Sequence, residues 1–182
     1  PYHGWKFDVE GNCLDIPSEP EDSVVRQEAK LQAYPLIKVG EILWTYMGDP
    51  ANRPPEPAWE FATVKPEQTV STKRLQESNW LQGLEGGIDS SHVSWLHSME
   101  LERDPLFKGA KANKFNMGDM KPVFEVRESD GGLYVAARRK VDGGKNYWRI
   151  TQWVMPCFTM IAPRADHPQH GHFWVPINDE NC

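Results

Sequence analysis

The stretch from Glu85 to His97 constrains the fold more than any other part of the chain. Its thirteen residues, Glu-Gly-Gly-Ile-Asp-Ser-Ser-His-Val-Ser-Trp-Leu-His, include two acids and two histidines. On a regular helix of about 3.6 residues per turn, Glu85, Asp89 and His92 would share one face. His97 would be rotated by about 140° from His92, so both rings can face one point only if the helix is interrupted. We therefore predict a break in the helix between His92 and His97.

The same stretch has the side chains of a metal site. Imidazole nitrogens and carboxylate oxygens bind iron, zinc and other transition metals. The spacing differs from that of the His-Glu-x-x-His zinc helix, whose histidines lie on one helical face. An amphipathic helix end with a surface histidine and aspartate is the plainer interpretation, because a motif match alone is only a hypothesis.

Composition narrows the class of protein. The chain has 182 residues, of which 39% are hydrophobic and 25% charged, as in globular proteins of one large domain or two small ones. A net charge of -6 argues against nucleic-acid or anionic membrane partners. No apolar run approaches the ~20 residues of a membrane span, and we expect a cytoplasmic protein. Three widely spaced cysteines predict free thiols rather than a disulfide framework.

Strand and turn patterns predict an α+β fold in two parts. Residues 1–50 read as the end of an all-β domain, residues 51–60 as a proline-rich linker, and residues 61–182 as the start of a second domain. In the second part we predict a helix capped by Ser78 or Asn79, followed by a long loop at 98–120. The other predicted features are a strand at 69–76, a hairpin at 123–140, strands at 147–154 and 157–161 in a curved antiparallel sheet, and a solvated basic strand end at 138–140.

Two motifs resemble those of Rieske non-haem iron ring-hydroxylating oxygenase alpha subunits. Pro1-Tyr2-His3-Gly4-Trp5 is similar to the end of Cys-Pro-Tyr-His-Gly-Trp, the second ligand loop of a Rieske [2Fe-2S] domain. Asn79-Trp80, Glu85 and Asp89-x2-His92-x4-His97 resemble the mononuclear iron motif in order and spacing. Segments 153–156 and 170–176 also resemble the phthalate 4,5-dioxygenase group and its relatives that act on chlorobenzoates and phenoxybenzoates, so the resemblance covers nearly the whole chain.

The resemblance implies specific roles for site residues. His3 would bind the Rieske cluster, and His92 and His97 would bind a mononuclear Fe(II). Asp89 would link a cluster histidine to His92, with support from Asn79 and Glu85. The third iron ligand and the other cluster ligands are expected outside the chain, which would leave this fragment inactive alone. Within the chain, the late aspartates considered as substitutes are Asp119, Asp166 and Asp179.

The resemblance also implies an activity. Such subunits use O2, with electrons from an NAD(P)H-dependent reductase or a ferredoxin, to hydroxylate an aromatic ring, and they assemble as homotrimers or multiples of trimers. The named group acts on aromatic carboxylates, and an anion of this kind favours an arginine partner. Arg138, Arg149 and Arg164 are candidates, and Arg149, between two apolar residues on a predicted strand, is the strongest of them.

Two other functions remain open at this point. A zinc-dependent hydrolase could use His92 and His97 with Glu85 or Asp89, since zinc accepts the same ligands. A Rieske electron carrier without catalysis would explain His3 but would leave the two later histidines without a role. Metal analysis distinguishes the first alternative from an oxygenase, and oxygen uptake with an aromatic acid distinguishes the second.

Overall fold

The computed structural model describes residues 2–105, 108–164 and 168–182. The chain divides into two compact units, Pro1–Thr72 and Lys73–Cys182. This division falls beyond the predicted linker at 51–60, and the assignment of the two parts to a Rieske and a catalytic domain stays a prediction.

The first unit is built from two small hairpins and short helical turns. The second hairpin has its turn at Gly40 and Glu41, both of positive φ. A Cβ atom on Gly40 would lie 2.5 Å from the Phe61 ring, so the close packing of that ring also requires glycine. The elements are β1 (Lys6–Phe7), β2 (Cys13–Asp15), α1 (Val24–Glu28), β3 (Leu36–Val39) and β4 (Ile42–Thr45), with 3₁₀ turns at Tyr2–Gly4, Pro50–Asn52, Glu60–Thr63 and Pro66–Gln68.

The second unit packs short helices on a five-stranded sheet. All neighbouring strands are antiparallel, in the order β5-β6-β7-β8-β9. The helices are α2 (Trp80–Ile88), α3 (His92–Trp95), α4 (Ser98–Arg103) and α5 (Asn113–Gly118). The strands are β5 (Val123–Ser129), β6 (Gly132–Val141), β7 (Lys145–Val154), β8 (Phe158–Met160) and β9 (Gly171–Phe173). The predicted α+β class and the antiparallel sheet are confirmed.

Alternating side chains of β6 and β7 form the buried face of the sheet. Val135 and Ala137 on β6 and Thr151 on β7 are all buried. The Thr151 hydroxyl donates to the carbonyl oxygen of Ile88 (3.0 Å), the last residue of α2, and so joins the sheet to the end of that helix. The two central strands therefore support the segment that contains the paired histidines.

Helix α2 approaches the sheet closely because two glycines face it. A Cβ on Gly83 would lie 2.4 Å from the Trp174 ring, and one on Gly87 would lie 2.8 Å from the Thr159 hydroxyl. Gly86 faces open space. In a helix, each of Gly86 and Gly87 lowers the stability of the helix by about 1 kcal/mol relative to alanine. Close packing explains the presence of glycine at position 87 but not at position 86.

Three local predictions are wrong. Residues 69–76 form no strand, since only Gln76 pairs with another backbone segment, at Cys182. The predicted loop at 98–120 contains α4 and α5, which are fixed by the buried side chains of Leu101 and Asn116. In the basic run at 138–140, Arg139 is completely buried rather than solvated. The last two differences arise from tertiary contacts that local patterns do not contain.

Two global predictions can also be compared with the structure. None of the helices within the described ranges is long and apolar enough to cross a bilayer. Cys13, Cys157 and Cys182 are free thiols, as predicted.

Candidate functional site

The helical segment that contains the motif is broken twice. Helix α3 ends at Trp95 and α4 begins at Ser98, so the predicted break between His92 and His97 is confirmed. A second break precedes it, because α2 ends at Ile88 and Asp89 has an extended backbone (φ -70°, ψ 127°). Regular helical geometry would place Asp89 and His92 on one face of a single helix. In the structure they do not share such a face, because the helix ends before Asp89.

Asn79 begins the helix that leads to the site. Its side-chain oxygen accepts the N–H of Leu81 (2.9 Å), as an N-cap residue does. Its amide group donates to the carbonyl oxygen of Asp179 (3.0 Å). Glu85 contributes through its backbone, because its carbonyl oxygen accepts the N–H of Asp89 (3.1 Å), while its side chain is exposed. Both residues thus fix the chain that supports the motif.

Asp89 organises the turn between α2 and α3. Its carboxylate accepts the N–H of Ser91 (2.7 Å) and the N–H of His92 (3.1 Å), and Oδ2 lies 3.1 Å from Nδ1 of His92. Partial burial opposes ionisation, but the backbone N–H groups of Ser91 and His92 and the His92 ring outweigh it and lower the pKa of Asp89. The carboxyl group is therefore ionised at neutral pH.

The two histidines of the motif converge. The ring centroids of His92 and His97 lie 5.1 Å apart, in an edge-to-face arrangement. Nδ1 of His97 lies 2.5 Å from the carboxylate of Glu100, and Nδ1 of His92 faces Asp89. A neutral ring that donates from Nδ1 to a carboxylate keeps the lone pair of Nε2 available to a metal. Both rings therefore fit the role of metal ligands.

Glu100 is a site residue that sequence reasoning missed. It lies three residues after His97, and at this spacing side chains meet on one side of a helix. The His-x-x-Glu spacing at the start of a helix was the signal that could have identified it. Glu100 and Asp89 thus form matching pairs with His97 and His92.

The described residues bring two potential metal ligands together, His92 and His97. Across residues 2–105, 108–164 and 168–182, no three histidine, cysteine or acidic side chains meet as a metal site. The Asp119 carboxylate accepts the backbone N–H groups of Lys121 and Lys140. Asp179 contacts Asn79 through its carbonyl oxygen, and Asp166 lies outside the described residues. None of these three aspartates is therefore placed by the described contacts beside the paired histidines.

Arg149 lies on the buried face of β7 and is only 9% exposed. Its Nη1 atom is buried and has no hydrogen-bond partner within the described ranges. Burial lowers the pKa of the Arg149 guanidinium to about 10, and Arg139 adds to this effect, while Tyr147 and Asp89 oppose it. The group therefore keeps its charge at neutral pH.

The other candidate residues differ in setting. Arg138 points to the opposite face of the sheet, where its guanidinium lies 5.9 Å from the centre of the Trp148 ring. His3 lies in the first unit, exposed, with a left-handed backbone (φ 47°). Arg138 is thus separated from the paired histidines by the sheet itself.

Comparison with known proteins identifies the family. Residues 45–182 match the model of the family described as LigXa C-terminal domain like. The match covers more than half of the chain, so the chain belongs to this family.

Its relatives are oxygenase subunits. The chain is 38% identical to the phthalate 4,5-dioxygenase oxygenase subunit of Pseudomonas putida, over 98% of this chain and 42% of that protein. It is 34% identical to the 3-chlorobenzoate-3,4-dioxygenase oxygenase subunit of Comamonas testosteroni, over 99% and 41%. The iron-sulfur subunit of the toluene-4-sulfonate monooxygenase system of Comamonas testosteroni is 24% identical, over 85% and 45%. The resemblance to Rieske oxygenase alpha subunits that the motifs indicate is therefore confirmed.

The chain spans about two fifths of the length of the first two relatives, 42% and 41%. The activity, substrates and partners of the whole protein are therefore a matter for proposal.

Proposed function

We propose that this chain is part of a terminal oxygenase subunit that uses O2 and supplied electrons to hydroxylate an aromatic carboxylate, such as phthalate or a substituted benzoate. The observation that carries the proposal is the convergence of His92 and His97, whose ring centroids are 5.1 Å apart. The acids that face their Nδ1 atoms leave both Nε2 atoms for a metal. Family membership supports an oxygenase over a zinc hydrolase or an electron carrier.

His92 and His97 are the proposed ligands of a mononuclear Fe(II), and His3 is a proposed ligand of a Rieske [2Fe-2S] cluster. When bound, these groups would supply O2 activation and single electrons respectively. The breaks on either side of α3 turn the two imidazoles toward each other, and a third ligand completes the set from outside the described residues.

Asp89 is proposed as the link between the two centres. A carboxylate offers about four acceptor sites, and three of those on Asp89 face Ser91 N, His92 N and His92 Nδ1. Its side chain is 39% exposed, so one acceptor site can receive a donor from outside this chain. In the proposed homotrimer, that donor is the ring N–H of His3 from a neighbouring subunit.

Arg149 is proposed to bind the carboxylate of the substrate. Leaving a buried guanidinium N–H without an acceptor costs free energy, and a carboxylate would remove that cost. Arg149 shares the buried face of β7 with Thr151, whose hydroxyl donates to the carbonyl oxygen of Ile88, the residue before Asp89. A hydrogen bond to a charged group contributes about 1.5–3 kcal/mol, equivalent to roughly a 10- to 100-fold effect on binding.

The remaining proposals concern the whole protein. An NAD(P)H-dependent reductase or a ferredoxin would donate electrons, and the subunits would form a homotrimer or a multiple of trimers. Residues 1–50 would complete a Rieske domain and residues 61–182 would begin the catalytic domain, with 51–60 as the linker. Absence of nucleic-acid and membrane partners and a cytoplasmic location stay predictions.

The function is tested by oxygen uptake of the full-length protein with its reductase and an aromatic acid. We expect uptake that depends on the acid and yields a hydroxylated product. In Arg149→Met, kcat/KM should fall roughly 10- to 100-fold for the acid but change little for the corresponding aromatic amide. Arg127→Met, which removes an exposed guanidinium on edge strand β5, is the matched control.

The outcomes separate the alternatives. Hydrolysis without oxygen uptake by a zinc-loaded protein would contradict the oxygenase proposal in favour of a hydrolase. Electron transfer without any product would favour a carrier. Equal losses for the acid and the amide in Arg149→Met would contradict the carboxylate-binding role and leave the oxygenase proposal intact.

A further inference from the structure

Arg139 is a charged side chain in an unusual setting. It has no exposed surface and is the largest of the fully buried side chains. It forms no ion pair within the described part of the chain. Burial lowers its pKa, and the nearby Tyr147, Asp119 and Asp89 only oppose this effect. Since an isolated buried charge costs several kcal/mol, its hydrogen bonds must compensate.

Three of its four hydrogen bonds go to Ser90, in the break between α2 and α3, and to Ser94, on α3. Nη2 donates to the carbonyl oxygen of Ser90 (2.7 Å) and to the hydroxyl of Ser94 (3.3 Å), while Nη1 donates to the hydroxyl of Ser90 (3.2 Å). Nε donates to the carbonyl oxygen of Asp119 (3.1 Å). Both serines are fully buried, so in the intact structure the guanidinium rather than solvent supplies their hydrogen-bond donors.

The position of the guanidinium has a physical reason. A carbonyl group between two helices has no partner within either helix, and a buried carbonyl group needs a hydrogen-bond donor. α2 ends at Ile88, and Arg139 reaches the carbonyl of Ser90, two residues later. A rigid strand thus supplies donors where the interrupted helix cannot.

Ser90 lies directly between Asp89 and the N–H groups that the Asp89 carboxylate accepts. A shift of the Ser90 peptide would move the carboxylate relative to Nδ1 of His92. Ser94, on α3, fixes the other side of His92 and also donates to the carbonyl of Asn116 (2.7 Å). Arg139 therefore holds both flanks of the Asp89–His92 pair.

We propose that Arg139 is a positioning residue of the histidine site, which sets the orientation of Asp89 and His92 through Ser90 and Ser94. The functional part of this inference rests on the proposed iron site. The effect of Arg139 on the orientation of Asp89 and His92 can be measured in protein without metal. Arg138 provides a matched control, because it is adjacent in sequence and points to the opposite face of the sheet.

The experiment uses the full-length protein with Arg139→Ala and Arg138→Ala variants. The first readout, in iron-free protein labelled with ¹⁵N-histidine, is the tautomer of the His92 ring by NMR. The second is the dissociation constant of Fe(II), together with the electron paramagnetic resonance spectrum of its nitric oxide complex. Methylguanidinium is then added to replace the missing group in the Arg139→Ala cavity.

We expect His92 to be protonated mainly at Nδ1 in the wild type and in Arg138→Ala, and to be a tautomer mixture in Arg139→Ala. Loss of such an outer contact weakens metal binding roughly 10- to 100-fold. We expect that weakening with a broadened spectrum in Arg139→Ala, and recovery with methylguanidinium. If Arg139→Ala only lowered the stability of the fold, methylguanidinium would not restore the wild-type NMR signal of His92.

A folded Arg139→Ala variant with a wild-type His92 tautomer would overturn the inference. If Arg139→Ala does not fold, Arg139→Lys provides the test, because lysine keeps the positive charge but lacks the several N–H donors of the guanidinium. An unchanged His92 signal in that variant would equally overturn the inference. The wild-type protein could bind no mononuclear iron while Arg139→Ala still shows the expected change of the His92 tautomer. That result would contradict the proposed function and leave the positioning role of Arg139 standing.

Discussion

Asp89 combines a structural task with a chemical one. Its carboxylate receives two backbone N–H groups and so begins α3, while the same group faces Nδ1 of His92. The lowered pKa means that the charge is present at neutral pH and is lost only as the pH falls through the acidic range. A neutral substitute of the same shape therefore removes the charge while it keeps one acceptor oxygen.

We predict that Asp89→Asn in the full-length enzyme keeps its cluster, its iron and its trimer but forms roughly 10- to 100-fold less product per reduced cluster. An amide has one acceptor oxygen, so it cannot retain every contact of the carboxylate. Single-turnover product yield measures the effect. Glu102→Gln, an exposed change on α4, is the control, and a normal yield in Asp89→Asn would return Asp89 to a purely structural role.

The motif resemblance singled out Asp89, His92 and His97 because it depends on residue types in sequence order, and the structure brings the rings of His92 and His97 within 5.1 Å, while their metal-binding role stays a prediction. It could not select Arg139, since arginine is mostly exposed and its neighbours Arg138 and Lys140 indicate a solvated strand end. The burial of Arg139 depends on contacts with Ser90, 49 residues away. Long-range packing of this kind is not visible in a local pattern.

At the scale of elements, α2 can pack closely on β8 because the residue at position 87 is glycine and has no side chain. A Cβ on Gly87 would meet Thr159 Oγ1 at 2.8 Å and Trp174 Nε1 at 3.3 Å, two atoms that are themselves hydrogen-bonded (2.9 Å). The adjacent Gly86 has nothing within 4 Å of such an atom. The two glycines are therefore a matched pair within one helix.

We predict opposite effects of alanine at these positions. Gly86→Ala should stabilise the protein by about 0.4–1 kcal/mol, because alanine favours the helix and restricts the unfolded chain. Gly87→Ala should destabilise it by about 1–3 kcal/mol, because the methyl group forces Thr159 or Trp174 to move. The free energy of unfolding in urea measures both changes, and equal effects of the two substitutions would contradict the packing of α2 described here.

Hairpins were predictable where short helices were not. The hairpins at 36–45 and 123–141 combine strand-forming residues with strong turn residues, so the local signal agrees with the fold. Helices α4 and α5 have six residues each, too few for a strong local pattern. They persist through tertiary contacts such as that between the Asn113 amide and the carbonyl of Leu101 (2.6 Å).

At the scale of the whole molecule, the chain corresponds to about two fifths of its relatives. The described residues contribute two converging imidazoles, their two acids, the arginine that holds their turn and a buried arginine with an unused N–H. No three histidine, cysteine or acidic side chains among the described residues meet as a metal site. The account therefore depends on whether these two histidines bind iron in the full-length protein.

The most direct test is the mononuclear iron content of the full-length protein with His92 and His97 both replaced by alanine. We predict that the double variant retains its iron-sulfur cluster, measured by absorbance, but loses the mononuclear iron and all product formation. His170→Ala, which removes a histidine from the segment before β9, should retain both. A double variant that still contains mononuclear iron and still forms product would contradict the assignment of the site.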